Sequence, residues 1–336
     1  MKTIVRDMLD PSMCKTYISE AAKIIKSGGL VAFPTETVYG LGANALDEAA
    51  CAKVYAVKSR PSDNPLIMHI SEDMSLSNIV KNISPSAEKL MKSFWPGSLT
   101  IIFQRQDVPC GINYHTVAVR MPKNLMARLL IHEAGVPIAA PSANLSGRPS
   151  PTTAAHVMED LGGKIDMILA GGSCEVGLES TVIDCSGDAP AILRPGAVTR
   201  EMIEGIIGPV DMISEAAKDE IPKSPGMKYR HYAPRAKVTI VVGEAAKVRE
   251  KIVSLADGAI NAGIMAHVDA AYYGCRNVLI MGEGYEEIAA NLFGLLRRCD
   301  EMGLKEVFVE GVAEEGLGAA IMNRLKKAAS YNILKV

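Results

Sequence analysis

Apolar and polar positions alternate between two periods along the first two hundred residues. Ile18, Ala21, Ala22 and Ile25 recur at helical spacing, so residues 16 to 27 are expected to form a helix that stops at Gly28-Gly29. LVAF (30 to 33) follows as a short buried strand, Glu48 to Val57 as a helix and Leu66 to Ile70 as a second strand. Ser84-Pro85 opens a further helix, an N-cap with proline behind it, which ends at Trp95-Pro96-Gly97. LTIIF and TVAVRM are then two strands. Beyond a helix near 124 to 134 come VPIAA, a Ser/Asn/Gly/Pro loop, a short helix and the strands MILA, STVIDC and AILRPG. Several of these strands follow one another without a helix, which predicts a mixed sheet.

From Lys237 the rhythm becomes a regular β-α-β alternation: VTIVV, a helix from Glu244, GIMA, NVLIM, a helix from Glu286 to Met302, EVFVEG and a last helix from Leu317. That pattern predicts a small doubly wound unit of about 100 residues. Between the two regions, Gly208 to Arg235 has no sustained apolar period and holds Pro209, Pro222, Pro225, Gly226 and Pro234. It is a linker by this criterion. Lys223, Lys228, Arg230, His231 and Arg235 crowd its end, with no carboxylate after Glu220, an arrangement a solvated spacer does not need. The expected organisation is therefore residues 1–207, a basic segment 208–235, and a compact domain 236–336.

Composition adds constraints. The chain has 336 residues, 48% hydrophobic and 22% charged, outside the regime of disorder, and only 5% aromatic, so its cores must be aliphatic. No uninterrupted apolar stretch approaches the ~20 residues that span a bilayer. The seven cysteines are odd in number, scattered and never spaced CxxC, so neither a disulfide framework nor a structural zinc site is encoded, and a reduced, cytoplasmic setting is expected. Formal net charge is −2, and neither side of Arg235 is basic: 24 Lys+Arg face 25 Asp+Glu before it and 12 face 13 after it. That balance disfavours a nucleic-acid arm.

GxxxxGK[ST], HExxH, GxSxG and the EF-hand loop are absent. Gly40-Leu41-Gly42-Ala43-Asn44-Ala45 matches G-x-G-x-x-A, but PTETVY separates it from the strand that a dinucleotide fingerprint must follow directly. The candidate chemistry lies elsewhere. PTETVYGLG, read as a loop that leaves the LVAF strand, sets two threonines, a carboxylate and a tyrosine beside glycines that permit close backbone approach. Lys58 and Arg60 stand at a helix end before a proline-stiffened loop, where they could equally serve the helix terminus. His69 lies near the end of its strand, where a core histidine is the commoner reading. In TVAVRMP, Thr116, Ala118 and Arg120 share one face, which suits either an anionic ligand or a salt bridge. PSANLSGRPSP gathers Ser142, Asn144, Ser146 and Ser150 after a strand, Ser180-Thr181 open another, and Arg194 ends one before Pro195-Gly196. Each has a structural reading of its own. Four cations and a set of hydroxyls at strand ends are explained jointly by a site for a polyanionic small molecule.

FPTETVYGLG, K-x-RP-x-x-x-PL, PSAN-x-SG, ESTVID and ILRPG occur in order over roughly residues 15 to 205, and SPGMKYRHYAP falls in the linker. In these the chain resembles the L-threonylcarbamoyladenylate synthase family, in its long two-domain branch, whose YrdC-like domain carries a KxR…SxN signature, here Lys58, Arg60, Ser142 and Asn144. The resemblance implies an α/β fold: a twisted mixed-sheet YrdC-like domain, then a Rossmann-like C-terminal domain. It implies condensation of L-threonine, bicarbonate or CO2, and ATP with Mg²⁺, releasing pyrophosphate and forming threonylcarbamoyl-AMP for adenosine 37 of tRNA, with other proteins making the transfer. On that basis Lys58, Arg60, Ser142 and Asn144 are the catalytic candidates. Together with Ser62, Thr116, Ser150, Arg194, His231 and Tyr232 they would hold ATP, while Thr35, His69, Arg120, Ala140, Ser180 and Thr181 would hold threonine. No protein ligand to the metal is identified. Arg120, with its planar fork, is the expected carboxylate clamp, and residues 223 to 235 the expected lid. The alternatives are an RNA-binding module that contacts tRNA, a carbamoyl-transfer protein of hydrogenase maturation, disfavoured by the missing zinc-finger cysteines, and an NAD oxidoreductase resting on the Gly40 motif alone.

Overall fold

A computed structural model describes residues 2–106, 115–213, 232–268 and 272–336. The backbone groups into two units. The first comprises Met1–Ser146, Pro151–Glu175 and Glu179–Lys228, and the second Gly147–Ser150, Val176–Leu178 and Tyr229–Val336.

The first unit runs β1 (Ile4–Asp7), α1 (Pro11–Lys26), β2 (Val31–Phe33), β3 (Gly40–Asn44), α2 (Glu48–Lys58), β4 (Ile67–His69), α3 (Pro85–Phe94), β5 (Leu99–Gln104), β6 (Thr116–Arg120), α4 (Leu125–Ala134), β7 (Ile138–Ala139), α5 (Ala154–Leu161), β8 (Met167–Ala170), β9 (Thr181–Asp184), β10 (Ala191–Arg194), α6 (Arg200–Ile207) and β11 (Asp211–Met212). The strands make one sheet in the order β1-β8-β2-β3-β7-β4-β6-β5-β9-β10-β11. It is mixed, as the helix-free strand successions require: β4 pairs parallel with β6 and β5 with β9, while β3–β7, β4–β7 and β5–β6 are antiparallel.

Local chemistry explains the boundaries. Asp10, Asp47, Ser84, Asn124, Thr153 and Thr199 each accept a first-turn N–H at a helix start. Period-two alternation in β2 sends Val31 and Phe33 into one core with Ile18, Ala21, Ala22 and Ile25 of α1 and Leu130 and Ile131 of α4. Ala32 faces a second core with Tyr39, Leu41, Val54, Ile101 and Phe103.

One expectation is corrected here. GLGAN, taken with the preceding loop, is strand β3, paired antiparallel to β2 through Val31↔Gly42 and Phe33↔Gly40. Its glycines serve packing: a Cβ at Gly42 would lie 2.7 Å from Ile138 Cγ2 and 2.8 Å from the Phe33 ring. The Gly40 motif is therefore a strand and not a strand-to-helix turn, so the fingerprint geometry of a dinucleotide site is absent there.

The second unit is the doubly wound domain: β12 (Lys237–Val242), α7 (Ala245–Asp257), β13 (Ala262–Ala266), β14 (Val278–Ile280), α8 (Tyr285–Glu301), β15 (Glu306–Glu310), α9 (Leu317–Ala328) and β16 (Ile333–Lys335). Its strands are all parallel, in the order β14-β13-β15-β12-β16. Val241, Ile252, Ile264 and Phe308 build one core of this domain. Tyr232 enters the same unit, with its ring 5.1 Å from Phe293 and 6.0 Å from the Arg324 guanidinium.

Candidate active site

The loop Pro34–Tyr39 leaves β2 and organises the site. Thr35 Oγ1 donates to Val38 O at 2.6 Å, lies 2.8 Å from Thr37 Oγ1, and accepts the N–H groups of Thr37 and Val38. This self-contained turn fixes Glu36 between Thr35 and Thr37. Glu36 Oε1 then accepts Arg120 Nη2 at 2.7 Å and Ser98 Oγ at 3.3 Å, while Oε2 accepts the N–H groups of Lys123 and Asn124. Both partners are about 4% exposed. Strands β3, β7 and β4 lie between β2 and β6 in the sheet, so the loop must fold back over the sheet to make this tie. Burial pushes the Glu36 carboxyl up, but the Arg120 guanidinium, through charge and hydrogen bond, outweighs it and holds the group at about 2.

Arg120 is therefore not an empty fork. Its Nε donates to Gly97 O at 3.1 Å, Nη1 to Thr37 Oγ1 at 2.8 Å and Nη2 to Glu36. Of five guanidinium donors, three are used, which leaves one hydrogen on each terminal nitrogen. His69 pairs in register with Arg120. Its Nδ1 lies 3.1 Å from Ile67 O, the carbonyl that also accepts Ala140 N–H at 2.9 Å. Burial and then the Arg120 charge push the imidazole down to about 3, so it is neutral at any physiological pH.

Two further groups adjoin this one. Ser180 Oγ lies 2.7 Å from Thr100 Oγ1 and accepts Arg194 Nη2 at 3.2 Å, and Arg194 Nε donates to Ser180 O. Thr181 N–H bonds Ser98 O, and its hydroxyl donates to Val198 O at 2.6 Å. Gly196 makes this possible, since a Cβ there would stand 2.3 Å from Thr181 N. The second group is built on Lys58, about 1% exposed, whose Nζ donates to the carbonyls of Ser142 and Asn144. Ser142 Oγ bonds Asn144 Oδ1. Leu41 N–H to Pro141 O and Ala143 N–H to Tyr39 O dock this turn beside the Pro34–Tyr39 loop.

Thr35, His69, Arg120, Ala140, Ser180, Thr181, Arg194, Lys58, Ser142 and Asn144 are thus linked through one loop and its neighbours. Arg60 is turned back along its own loop, donating to Asn64 O, Asn64 Oδ1 and Pro65 O. Ser62 is exposed. Thr116 opens β6 and Arg120 closes it, about 13 Å apart at strand rise. Ser150 and Tyr232 belong to the second unit. His231, and the linker from 214 to 231 with most of the expected lid, lie outside the described residues.

Sequence reasoning missed Glu36, Thr37, Ser98 and Thr100 as site residues. Glu36 was visible as the carboxylate of PTETVY, but its partner is 84 positions away. Among the described residues, no group of three His, Cys, Asp or Glu side chains could hold a metal ion, and no helix is long and apolar enough to cross a membrane.

A mixed sheet bearing the Lys58–Ser142–Asn144 cluster, followed by a parallel Rossmann-like domain, defines a two-domain protein of the YrdC-like class. Residues 23–196 match the family described as Telomere recombination, and residues 198–330 match the Threonylcarbamoyl-AMP synthase, C-terminal domain. The threonylcarbamoyl-AMP synthase of Pyrococcus abyssi is 48% identical over 322 residues, covering 94% of this chain and 95% of that one. That of Bacillus subtilis is 44% identical over 328 residues, covering 95% and 94%. The crystal structure of P. abyssi Sua5 complexed with L-threonine superposes with a TM-score of 0.90 at 46% identity, over 96% of both chains. The chain belongs to the threonylcarbamoyl-AMP synthase family, whose members are nucleotidyltransferase-type enzymes.

Proposed function

We propose that this protein condenses L-threonine, bicarbonate or CO2, and ATP into threonylcarbamoyl-AMP with release of pyrophosphate. The observation that carries the reading is the junction of two preorganised clusters on one loop: buried Lys58 with Ser142 and Asn144 on one side, and Arg120 with Glu36 and His69 on the other. Kinship along nearly the whole chain supports it.

Carboxylation of the neutral threonine amine by CO2 yields a carbamate and a proton, and by bicarbonate a carbamate and water. A carbamate oxygen then attacks the α-phosphorus of ATP, and the bond to the bridging oxygen of the β-phosphate breaks as pyrophosphate leaves. The two donors left on Arg120 would take the threonine carboxylate, with Thr35 and Ser180 nearby. Lys58, Arg60, Ser142, Asn144 and Arg194 would face the phosphates, and Ser62, Thr116, Ser150, His231 and Tyr232 complete the proposed nucleotide contacts. Glu36 at about 2 and His69 at about 3 are both weak bases, so the amine proton passes to solvent or bicarbonate. Catalysis then rests on positioning and on fixed dipoles. Mg²⁺ arriving with ATP would offset phosphate charge; among the described residues no group of three His, Cys, Asp or Glu side chains gathers to hold it. The mixed anhydride supplies threonylcarbamoyl-transfer proteins that act on tRNA. Residues 1–207 form the proposed catalytic domain, 208–235 the lid and 236–336 the second domain.

The test is incubation with ATP, labelled bicarbonate and each amino acid in turn, with detection of pyrophosphate and an acyl-adenylate. Threonine-dependent label in the adenylate is expected. Equal formation without threonine refutes the assignment.

A further inference from the structure

Tyr39 closes the Pro34–Tyr39 loop, and its side chain and its backbone serve different partners. The ring is buried. Its hydroxyl donates to Gly172 O at 2.7 Å and accepts the Gly171 N–H at 3.0 Å, so donor and acceptor are both engaged across more than a hundred positions of chain. Pro34, at the other end of the loop, meets the same turn: a Cβ on Gly171 would stand 2.7 Å from Pro34 Cγ. Gly172 takes φ +84°, a conformation that side chains disfavour. The loop that carries Thr35, Glu36 and Thr37 is thus braced at both ends on Gly171-Gly172. Burial pushes the phenol well above its ordinary range, so the hydroxyl keeps its proton at neutral pH and its contribution is geometric.

The Tyr39 peptide faces the other cluster. Its C=O accepts the Ala143 N–H at 2.8 Å, and its N–H donates to Pro151 O at 2.9 Å. Ala143 stands between Ser142 and Asn144, whose carbonyls hold Lys58 Nζ. Ser146 N–H, donating to Lys58 O at 3.0 Å, closes the turn on the same lysine. Tyr39 therefore joins the loop that orients Arg120, through Glu36 and Thr37, to the turn that orients Lys58. Bonds inside the Pro34–Tyr39 loop would survive a shift of the whole loop; the two hydroxyl bonds to Gly171-Gly172 would not.

We infer that Tyr39 is a positioning residue whose hydroxyl sets the separation of the two half-sites, and with it the approach of the carbamate oxygen to the α-phosphorus. This role rests on the condensation proposed above. Carboxylate and phosphates each have binding groups of their own, so either substrate should bind nearly as before when the separation is disturbed. The loss should fall on the step that needs both. A misplacement of about 1 Å is enough to cost such a step roughly a hundredfold.

Tyr39→Phe keeps the ring and takes this partner from the Gly171 N–H and the Gly172 carbonyl. Thr3→Val is the matched control: Thr3 Oγ1 likewise donates to one carbonyl, Ile165 O at 2.7 Å, and accepts one N–H, from Gly163 at 2.8 Å, in the same unit and outside the site. Threonine-dependent adenylate formation by the parent tests the condensation separately. In Tyr39→Phe kcat should fall at least tenfold while KM for threonine and KM for ATP each stay within threefold, and Thr3→Val should match the parent in all three. Gly171→Ala, which drives a methyl group against Pro34 at the other end of the loop, should reproduce that split. Hydrogen–deuterium exchange of the unliganded full chain reads the joint without turnover: amides in 35–39 and 141–146 should exchange at least tenfold faster in Tyr39→Phe and at the parent rate in Thr3→Val. Native kcat in Tyr39→Phe overturns the inference, as does native exchange in those segments whether or not the parent turns over. A rise in KM without a fall in kcat overturns it too, and so does an equal loss in Thr3→Val, which would mark destabilisation alone.

Discussion

Replacing Glu36 by glutamine removes the charge that holds Arg120, and the size of the effect follows from the buried pair. A carboxyl carried from an ordinary 4.5 to about 2 contributes roughly 3 kcal/mol to stability at ~1.4 kcal/mol per pH unit. That matches the roughly 3–5 kcal/mol lost when one partner of a buried ion pair is removed. Glutamine cannot restore the bonds, because Glu36 accepts on both oxygens, from Arg120 and Ser98 on one and from two N–H groups on the other. An amide NH2 at either position faces donors. The chain's one tryptophan, Trp95, donates to Leu99 O, and the neighbouring Gly97 O accepts Arg120 Nε, so its fluorescence reports unfolding of this unit alone. At neutral pH Glu36→Gln should unfold in urea with about 3 kcal/mol less stability, and KM for threonine should rise at least tenfold against a smaller change for ATP. The native carboxylate binds fewer protons than the unfolded one, so its contribution is complete above about 4.5 and fades as pH falls toward 2, where variant and parent should converge. An unchanged urea midpoint together with an unchanged threonine KM would refute the reasoning.

Three other outcomes follow from the same geometry. Lys58→Ala leaves the Ser142 and Asn144 carbonyls without their buried donor and should lower kcat/KM for ATP about a hundredfold, ~2.7 kcal/mol; Lys58→Arg should not rescue it, because a planar guanidinium cannot take the place of a compact ammonium between two carbonyls. His69 binds its proton at about 3 when folded and near 6.5 when unfolded, so stability should fall as pH drops below about 6.5, by about 2 kcal/mol near pH 5, and urea titrations of His69→Gln by Trp95 fluorescence should lack that slope. Gly196→Ala drives a methyl group against Thr181 N and should cost about 1–3 kcal/mol, with a rise in KM because Ser180 and Arg194 move with that backbone; native-like kinetics in this variant would contradict the close approach.

The elements legible in the sequence were those whose signals are local. Ser84-Pro85 announces α3 because an N-cap and a proline act within one turn. The 3.6 period of Ile18, Ala21, Ala22 and Ile25 announces α1, although its start at Pro11, set by the Asp10 cap, lies beyond the apolar stripe. Strand β3 was hidden because glycine disfavours strands. It forms because tertiary packing leaves no room for any larger side chain beside Phe33 and Ile138. The peripheral strands β1, β11 and β16 have two to four residues each, too few to show an alternation, and they take their order from neighbours remote in the chain.

The site was legible as a set of residue types but not as an electrostatic arrangement. Of the four cations that the sequence places at strand ends or adjoining loops, Lys58, Arg120 and Arg194 are each open there to an anionic ligand or to a structural partner. In the folded chain each is buried and already held: Lys58 by two carbonyls, Arg194 by Ser180, Arg120 by Glu36, Thr37 and Gly97. Those contacts are long-range, so no local pattern encodes them. They also change what the site can contribute to catalysis. A cluster of unpaired cations would bind any polyanion strongly and would have to reorganise around the developing charge. Cations locked by neutral dipoles and one carboxylate attract less in the ground state, and their remaining donors are oriented before substrate arrives. Such a site favours the transition state by geometry. Glu36 thus weakens the raw attraction of Arg120 for a carboxylate while fixing where that carboxylate must sit. It follows that Glu36→Gln should raise KM for threonine even though it increases the net positive charge of the pocket, whereas a site working by charge alone would bind threonine more tightly.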